Sequence, residues 1–217
     1  MRRPESRYPA FAAALVVIAG QTWVSSSLGL RPVWLFAAAS AALLLASVAV
    51  YVSPWEQPRS IMRWLSAAIL GVLVIANALS LWLLVRGVFV PGSTHLTALG
   101  LVLTGCASWA VNVAMFALAF WELDAGGPEA RADRRNRPLP DIVFPQQQNN
   151  GPGLVPHDWA PTFLDYLYVS LTAATAFSPT DAMPYTRPAK LVMGVESTMC
   201  FAIFAMLVAR AVNIANL

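Results

Sequence analysis

The sequence predicts an all-α integral membrane protein of five transmembrane helices, with a re-entrant half-helix and an irregular loop before the last helix. Three observations carry this expectation. Hydrophobic residues make up 58% of the 217 and charged residues only 12%, outside the usual balance of a soluble domain. The apolar residues fall in five long blocks of roughly 20, the length that a helix needs to cross a hydrocarbon core of about 30 Å. A further, shorter apolar stretch stops at Ser178-Pro179, inside what otherwise reads as membrane. Most of the chain is committed to these spans, which leaves no room for a soluble catalytic domain.

The first block, Pro9–Leu28, follows a basic flank in "MRRPESRYPAF". It is long, and "SSSLGLRPVW" leads almost directly into the next apolar run, so it reads as a first membrane helix rather than a cleaved signal, although "VSSSLG" has some cleavage-site character. The second and third blocks are Pro32–Val52 and Ile61–Val85, and the fourth is Leu96–Trp121. Their connections are short and carry Pro54, Pro58 and Pro91, so neighbouring helices are expected to be antiparallel hairpins. The closing span is Ala189–Ile214.

Between Glu122 and Pro161 the composition changes to proline, glycine, charge and amide, as in "ADRRNR" and "PQQQNNGPG". This is an extramembrane loop; its basic cluster is either topogenic or a contact for anionic lipid. The apolar stretch Thr162–Ala176 that follows gives a helix of about 22 Å, short of a full crossing. Pro179 disfavours helix at Ser178 before it. Irregular backbone is tolerated at membrane depth only where it is buried in protein or lines a wet cavity.

From Asp165 the chain reads "DYLYVSLTAATAFSPTDAMPYTRPAK". This run resembles the pore loop of tetrameric potassium-channel-like cation channels. Without a gap, Tyr168 and Ser170 match the pore helix, Thr175 the filter-entry threonine, Asp181 the post-filter aspartate, and Pro184, Thr186 and Lys190 the exit. The resemblance implies an outer helix (96–121), a half-helix (162–176), a filter-like loop (177–186) and an inner helix (189–214), preceded by three N-terminal helices in residues 1–92. It also implies pore or filter-like roles for Thr172, Thr175, Ser178, Pro179, Thr180 and Asp181. The pattern departs where the filter needs glycine: Ser178 and Thr180 stand there, and Pro179 replaces the tyrosine. Serine and threonine resist positive φ and proline cannot adopt it, so carbonyl cages do not carry over. Either hydroxyl and carboxylate rings replace them, or the segment is a turn closed by its own side chains.

The pieces "SWAVNVAMFALAFWELDAGGP", "DIVFPQ", "DYLYVSLTAATAFSPTDAMP" and "TRPAKLVM" resemble a family of uncharacterised bacterial multi-pass membrane proteins, over about half the chain. That resemblance implies a bacterial inner-membrane protein and supplies no activity.

Other polar residues fall within spans. Glu196 lies early in the last span, beside Ser197 and Thr198; a carboxylate there costs on the order of 3 kcal/mol if central. It lines a pore, relays protons, or supports the re-entrant loop from behind as part of a polar seam. Asn77 and Asn112, each flanked by small residues, are expected to hydrogen-bond between helices, and Gln21 likewise. His95 and His157 sit in loops without metal-like spacing. Trp109, Trp121 and Trp159 read as interfacial anchors. Cys106 and Cys200 lie far apart in apolar spans, as small buried hydrophobes. Glu122 and Asp124, two residues apart, offer either a divalent-cation site or a helix end stopped by Gly126-Gly127-Pro128.

There is no nucleophile elbow, phosphate-cradling glycine loop or paired-histidine helix face. No enzymatic activity, cofactor, metal or nucleic-acid partner is expected. The expected partners are the lipid bilayer, monovalent cations and further copies of the chain, a tetramer foremost. The expected function is a channel-like, cation-permeable protein. The alternatives are a non-conducting structural or accessory protein and a proton-coupled transporter using Glu196.

Orientation divides the expectations. With five crossings and the N-terminus inside, Arg2, Arg3, Arg7, Arg59, Arg63, Arg131, Arg134, Arg135, Arg137, Arg187 and Lys190 share the inner side, and Arg31, Arg86 and Arg210 the outer. This obeys the positive-inside rule, yet it puts the filter-like loop at the cytoplasm, whereas a potassium-channel filter faces outward. Six crossings, with Thr162–Ser178 spanning, also obey the rule and turn the loop into an ordinary hairpin.

Overall fold

The computed structural model describes residues 5–30, 33–53, 59–90, 95–132, 138–148, 159–175 and 182–215. Five of its helices are long and apolar enough to cross a membrane: α1 (Tyr8–Ser27), α2 (Val33–Val52), α3 (Arg59–Phe89), α4 (Ala98–Leu123) and α8 (Arg187–Ala215). The all-α expectation holds, and each helix lies within a few residues of its expected span. Three shorter helices, α5 (Pro128–Ala132), α6 (Pro145–Gln148) and α7 (Phe163–Thr175), lie between α4 and α8. The loop expected over 122–161 is therefore partly structured.

α4 is the hub. Of its apolar window, 61% is buried inside the chain, against 17% for α2, which packs at the periphery. α1, α3, α7 and α8 all pack on α4. Gly20 permits the close approach of α1: a Cβ there would fall 2.7 Å from Cγ2 of Val111, and small residues let helix backbones approach in this way. The main core runs from Ala10, Ala14 and Val17 of α1 across Val111, Met115, Phe116 and Phe120 of α4 to Phe163, Tyr166 and Val169 of α7.

Local chemistry sets the helix ends. Thr97 caps α4, its hydroxyl accepting from the N–H of Gly100 at 3.1 Å. Thr162 precedes α7, and Asp165 reaches back to accept from its N–H and hydroxyl at 2.6 and 2.8 Å. That is one half of a capping box, with aspartate in the third position; the Asp165 N–H returns to the Thr162 carbonyl rather than to its hydroxyl. After α4, Ala125, Gly126 and Gly127 all take positive φ, at 52°, 76° and 94°. Two glycines make that turn cheap, and Pro128 then opens α5 at a position where a missing N–H costs little.

The decisive relationship is the pairing of β1 (Ile142–Val143) with β2 (Met183–Pro184), antiparallel, Ile142 opposite Pro184. β1 is fixed to the C-terminal end of α4, because Asp124 Oδ1 accepts from the N–H of Ile142 at 2.9 Å. The chain therefore enters the bundle as α7 beside the end of α4 and is back at that same end by Met183. α7 has 13 residues, about 20 Å, against about 44 Å for the 29 residues of α8. Its last turns lie beside Val113 of α4 and Ser197 and Cys200 of α8, whereas α8 runs on to Leu207, which packs at Gly105. Five long helices and a half-helix result, and the six-crossing alternative does not.

Candidate functional site

Two polar clusters stand out, one at the end where α7 enters and one inside the bundle. At the entrance, Arg7, just before α1, is 2% exposed. Its Nε and Nη2 donate to both oxygens of Glu129 at 2.6 and 2.7 Å, and Nη1 donates to Glu122 at 2.5 Å. Ser66 of α3 donates to the same Glu122 oxygen at 2.8 Å, and the guanidinium lies over the Trp121 ring. Burial works to lower the Arg7 pKa, but Glu129 and Glu122 outweigh it and hold the guanidinium above its ordinary value. The same segment reaches α7. Glu5 accepts from Trp121 Nε1 at 2.8 Å and from the N–H of Phe163 at 2.7 Å, a donor that the first turn of a helix leaves free.

Next to it, Asp124 and Asp141 lock the connection. Asp124 accepts from the N–H groups of Asp141 and Ile142 and, at 2.5 Å, from the hydroxyl of Tyr166 on α7. Asp141 accepts from the N–H of Ala125 at 2.9 Å and from the Thr186 hydroxyl, ahead of α8, at 2.6 Å. Arg131 donates to the carbonyls of Trp121 and Asp124 and lies over the Tyr166 ring. Burial first, and the Asp124 charge with it, push the Tyr166 phenol well above its usual range.

Inside the bundle, Glu196 of α8 is fully buried and in short contact with the Ser170 hydroxyl of α7. Ser170 also reaches the Val113 carbonyl of α4 at 2.7 Å. One turn further along α8, the Asn112 amide donates to Cys200 Sγ at 3.0 Å, and the Asn77 amide donates to Asn112 Oδ1 at 2.7 Å. Ser197 donates to the Ala173 carbonyl at 3.2 Å. Together these form a polar layer linking α3, α4, α7 and α8 at the depth where α7 ends.

The expected site residues separate accordingly. Glu196, Ser197, Asn112 and Asn77 come together in this layer. The Thr172 and Thr175 hydroxyls bond to carbonyls of their own helix, Tyr168 and Val169 for the first, Leu171 and Thr172 for the second. Ser178, Pro179, Thr180 and Asp181 lie outside the described residues, as does His157. Gln21 donates to Ser25 of its own helix and, across helices, to Ser80 of α3. Of the tryptophans, Trp121 is a buried core residue rather than an interfacial anchor, because its ring packs between Arg7 and Phe163. Cys106 is exposed on the outside of the bundle, and only Cys200 is buried. Glu122 and Asp124 turn to different partners, which favours the helix-end reading. Among the described residues, no cluster of histidine, cysteine and carboxylate side chains fit for a metal occurs.

Sequence reasoning missed Arg7, Asp141 and Tyr166. Arg7 counted only as a flanking charge, and the partners of its guanidinium lie more than 50 residues away. No local pattern announces such a pairing.

The fold and its polar layer define an all-α chain with five helices able to cross a membrane and one half-length helix held between two of them. No protein-family model, curated protein or solved structure matches it.

Proposed function

We propose that α4, α7 and α8 form a pore-loop unit that assembles with further copies of the chain in a bacterial inner membrane and passes monovalent cations. The observation that supports this most is the re-entrant path, a half-helix entering beside the end of α4 with β2 returning to that end before α8 begins. A long helix, a half-helix and a closing long helix, α4, α7 and α8, follow in the order that the pore-loop resemblance implies for outer helix, pore helix and inner helix. Leu164, Tyr168 and Leu171 form one face of α7 that the other described residues leave exposed. In an assembly around an axis, a neighbouring copy covers that face, and the end of α7 at Thr175 stands near the pathway. Among the described residues Arg7, Arg131 and Arg187 lie at the end where α7 enters, so that end faces the cytoplasm in this reading.

Purified protein in liposomes is expected to pass a monovalent cation flux that drops on Asp181→Asn and on Thr175→Ala. A flux no higher than in empty vesicles, under several gradients, sinks the reading.

A second reading, a non-conducting scaffold, draws on the hydroxyls of Thr172 and Thr175 being spent within α7 and on Glu196 being sealed. It expects a monomer or dimer in mild detergent, where the pore reading expects a fourfold assembly.

A further inference from the structure

Ser170 stands between two oxygen atoms. Its Oγ lies 2.7 Å from the Val113 carbonyl on α4 and in short contact with Oε1 of Glu196 on α8. Two oxygens that close repel unless a hydrogen lies between them, so each contact requires one. A serine hydroxyl carries a single hydrogen, and a carbonyl carries none. If Ser170 donates to Glu196, the contact with Val113 has no hydrogen. If Ser170 donates to Val113, the other contact is supplied only by a protonated Glu196. Both contacts are satisfied together in one arrangement, the carboxylic acid.

The surroundings agree. Glu196 is fully buried, and its Oε2 has no hydrogen-bond partner. The groups beside it are the Ser170 hydroxyl from α7 and, one turn along α8, the Cys200 thiol, which itself accepts from the Asn112 amide of α4. No Lys, Arg or His among the described residues pairs with it. A carboxylate held there would be a buried charge with no cation beside it, in a layer whose other groups are neutral.

We infer that Glu196 is a proton-binding site: its carboxyl donates to Ser170, Ser170 donates to Val113, and one proton completes a chain from α8 through α7 to α4. When that proton leaves to water, the single Ser170 hydrogen turns to the Glu196 carboxylate. The contact with Val113 then loses its hydrogen, and the tie between α7 and α4 opens while the tie to α8 persists. Proton occupancy thus sets which neighbour the half-helix holds. The site stands on its own geometry; only its effect on permeation rests on the pore-loop reading.

The test is infrared spectroscopy of the full chain in lipid nanodiscs, with and without ¹³C-labelled glutamate. At neutral pH the wild type is expected to show the carbonyl band of a buried protonated carboxyl, shifted by the label. The band is lost in Glu196→Gln and kept in Glu122→Gln. A wild type without the band, or a band that survives in Glu196→Gln, overturns the inference. Should Glu196→Gln fail to fold, Ser170→Ala decides: loss of the acceptor shifts the band, and an unshifted band overturns the assignment. In liposomes, any cation flux is expected to change between neutral and alkaline pH in the wild type but not in Glu196→Gln. Flux equally insensitive in both removes the regulatory role, and absence of flux throughout removes the pore reading while the band still judges the proton site.

Discussion

Asp124 and Asp141 clasp the two segments they stand in: Asp124 Oδ1 accepts from the N–H of Asp141 at 2.7 Å, and Asp141 Oδ2 accepts from the N–H of Ala125, next to Asp124, at 2.9 Å. This reciprocal clasp joins the end of α4 to β1. Through Tyr166 and Thr186 it also fixes the start of α7 and the start of α8. Asp124→Ala strands two backbone donors and a phenol hydroxyl in a buried place. Each lost hydrogen bond to a charged group is worth about 1.5–3 kcal/mol, so the variant is expected to lose several kcal/mol. Thermal unfolding in detergent measures this, and an unchanged melting temperature contradicts the clasp.

Tyr166 gives the pH prediction. Its phenol is raised by burial and by Asp124, so the folded state binds the phenol proton more tightly than the unfolded chain does. The stability this confers is fully present below the ordinary phenol pKa of about 10 and is lost as pH rises toward the folded value. Of the five tyrosines, Tyr166 contributes no ionisation before unfolding. Absorbance titration should therefore show the same pre-unfolding amplitude for wild type and Tyr166→Phe. A smaller amplitude in the variant contradicts the prediction.

Arg7→Gln removes the cation between Glu122 and Glu129. Breaking a buried ion pair from one side costs about 3–5 kcal/mol, whereas replacing the whole group by neutral side chains is often nearly neutral. The single variant is expected to be strongly destabilised in detergent, and Arg7→Met combined with Glu122→Gln and Glu129→Gln to recover most of the loss. A triple variant as unstable as the single one argues against charge as the cause.

How much of this was legible in the sequence depends on distance along the chain. Block length and hydropathy are local properties, and α1 to α4 and α8 appear close to where apolar length puts them. The half-helix was legible too, because the apolar stretch Thr162–Ala176 is too short to cross. Asn77 and Asn112 were recognised singly as interhelical donors, but their pairing with each other was not, since nothing local sets which faces of α3 and α4 meet. Arg7, Asp141 and Tyr166 were invisible for the same reason. A basic flank residue, a loop aspartate and a helix tyrosine acquire roles only when the end of α4, β1 and α7 converge. The return of the chain to the end of α4 after α7 was likewise fixed by a non-local contact, β1 with β2.

The polar layer makes its own prediction. Asn77 donates to Asn112, and Asn112 donates to Cys200. Asn77→Leu and Asn112→Leu should each destabilise the fold by less when the other is already present. Such interhelical pairs couple by about 0.6 kcal/mol on average. A double-mutant cycle on unfolding in detergent measures the coupling, and strict additivity removes the pair.

The most direct test of the central claim, that the chain enters and leaves the bundle at one end, is membrane-sided labelling of single cysteines. Leu139 before β1 and Tyr185 after β2 are both exposed, and each is replaced by cysteine in a background with Cys106→Ser and Cys200→Ser. With a membrane-impermeant thiol reagent on intact cells and on inverted vesicles, the two positions are expected to label from the same side. Labelling from opposite sides would mean that the segment between them crosses the membrane, and the re-entrant account would be wrong.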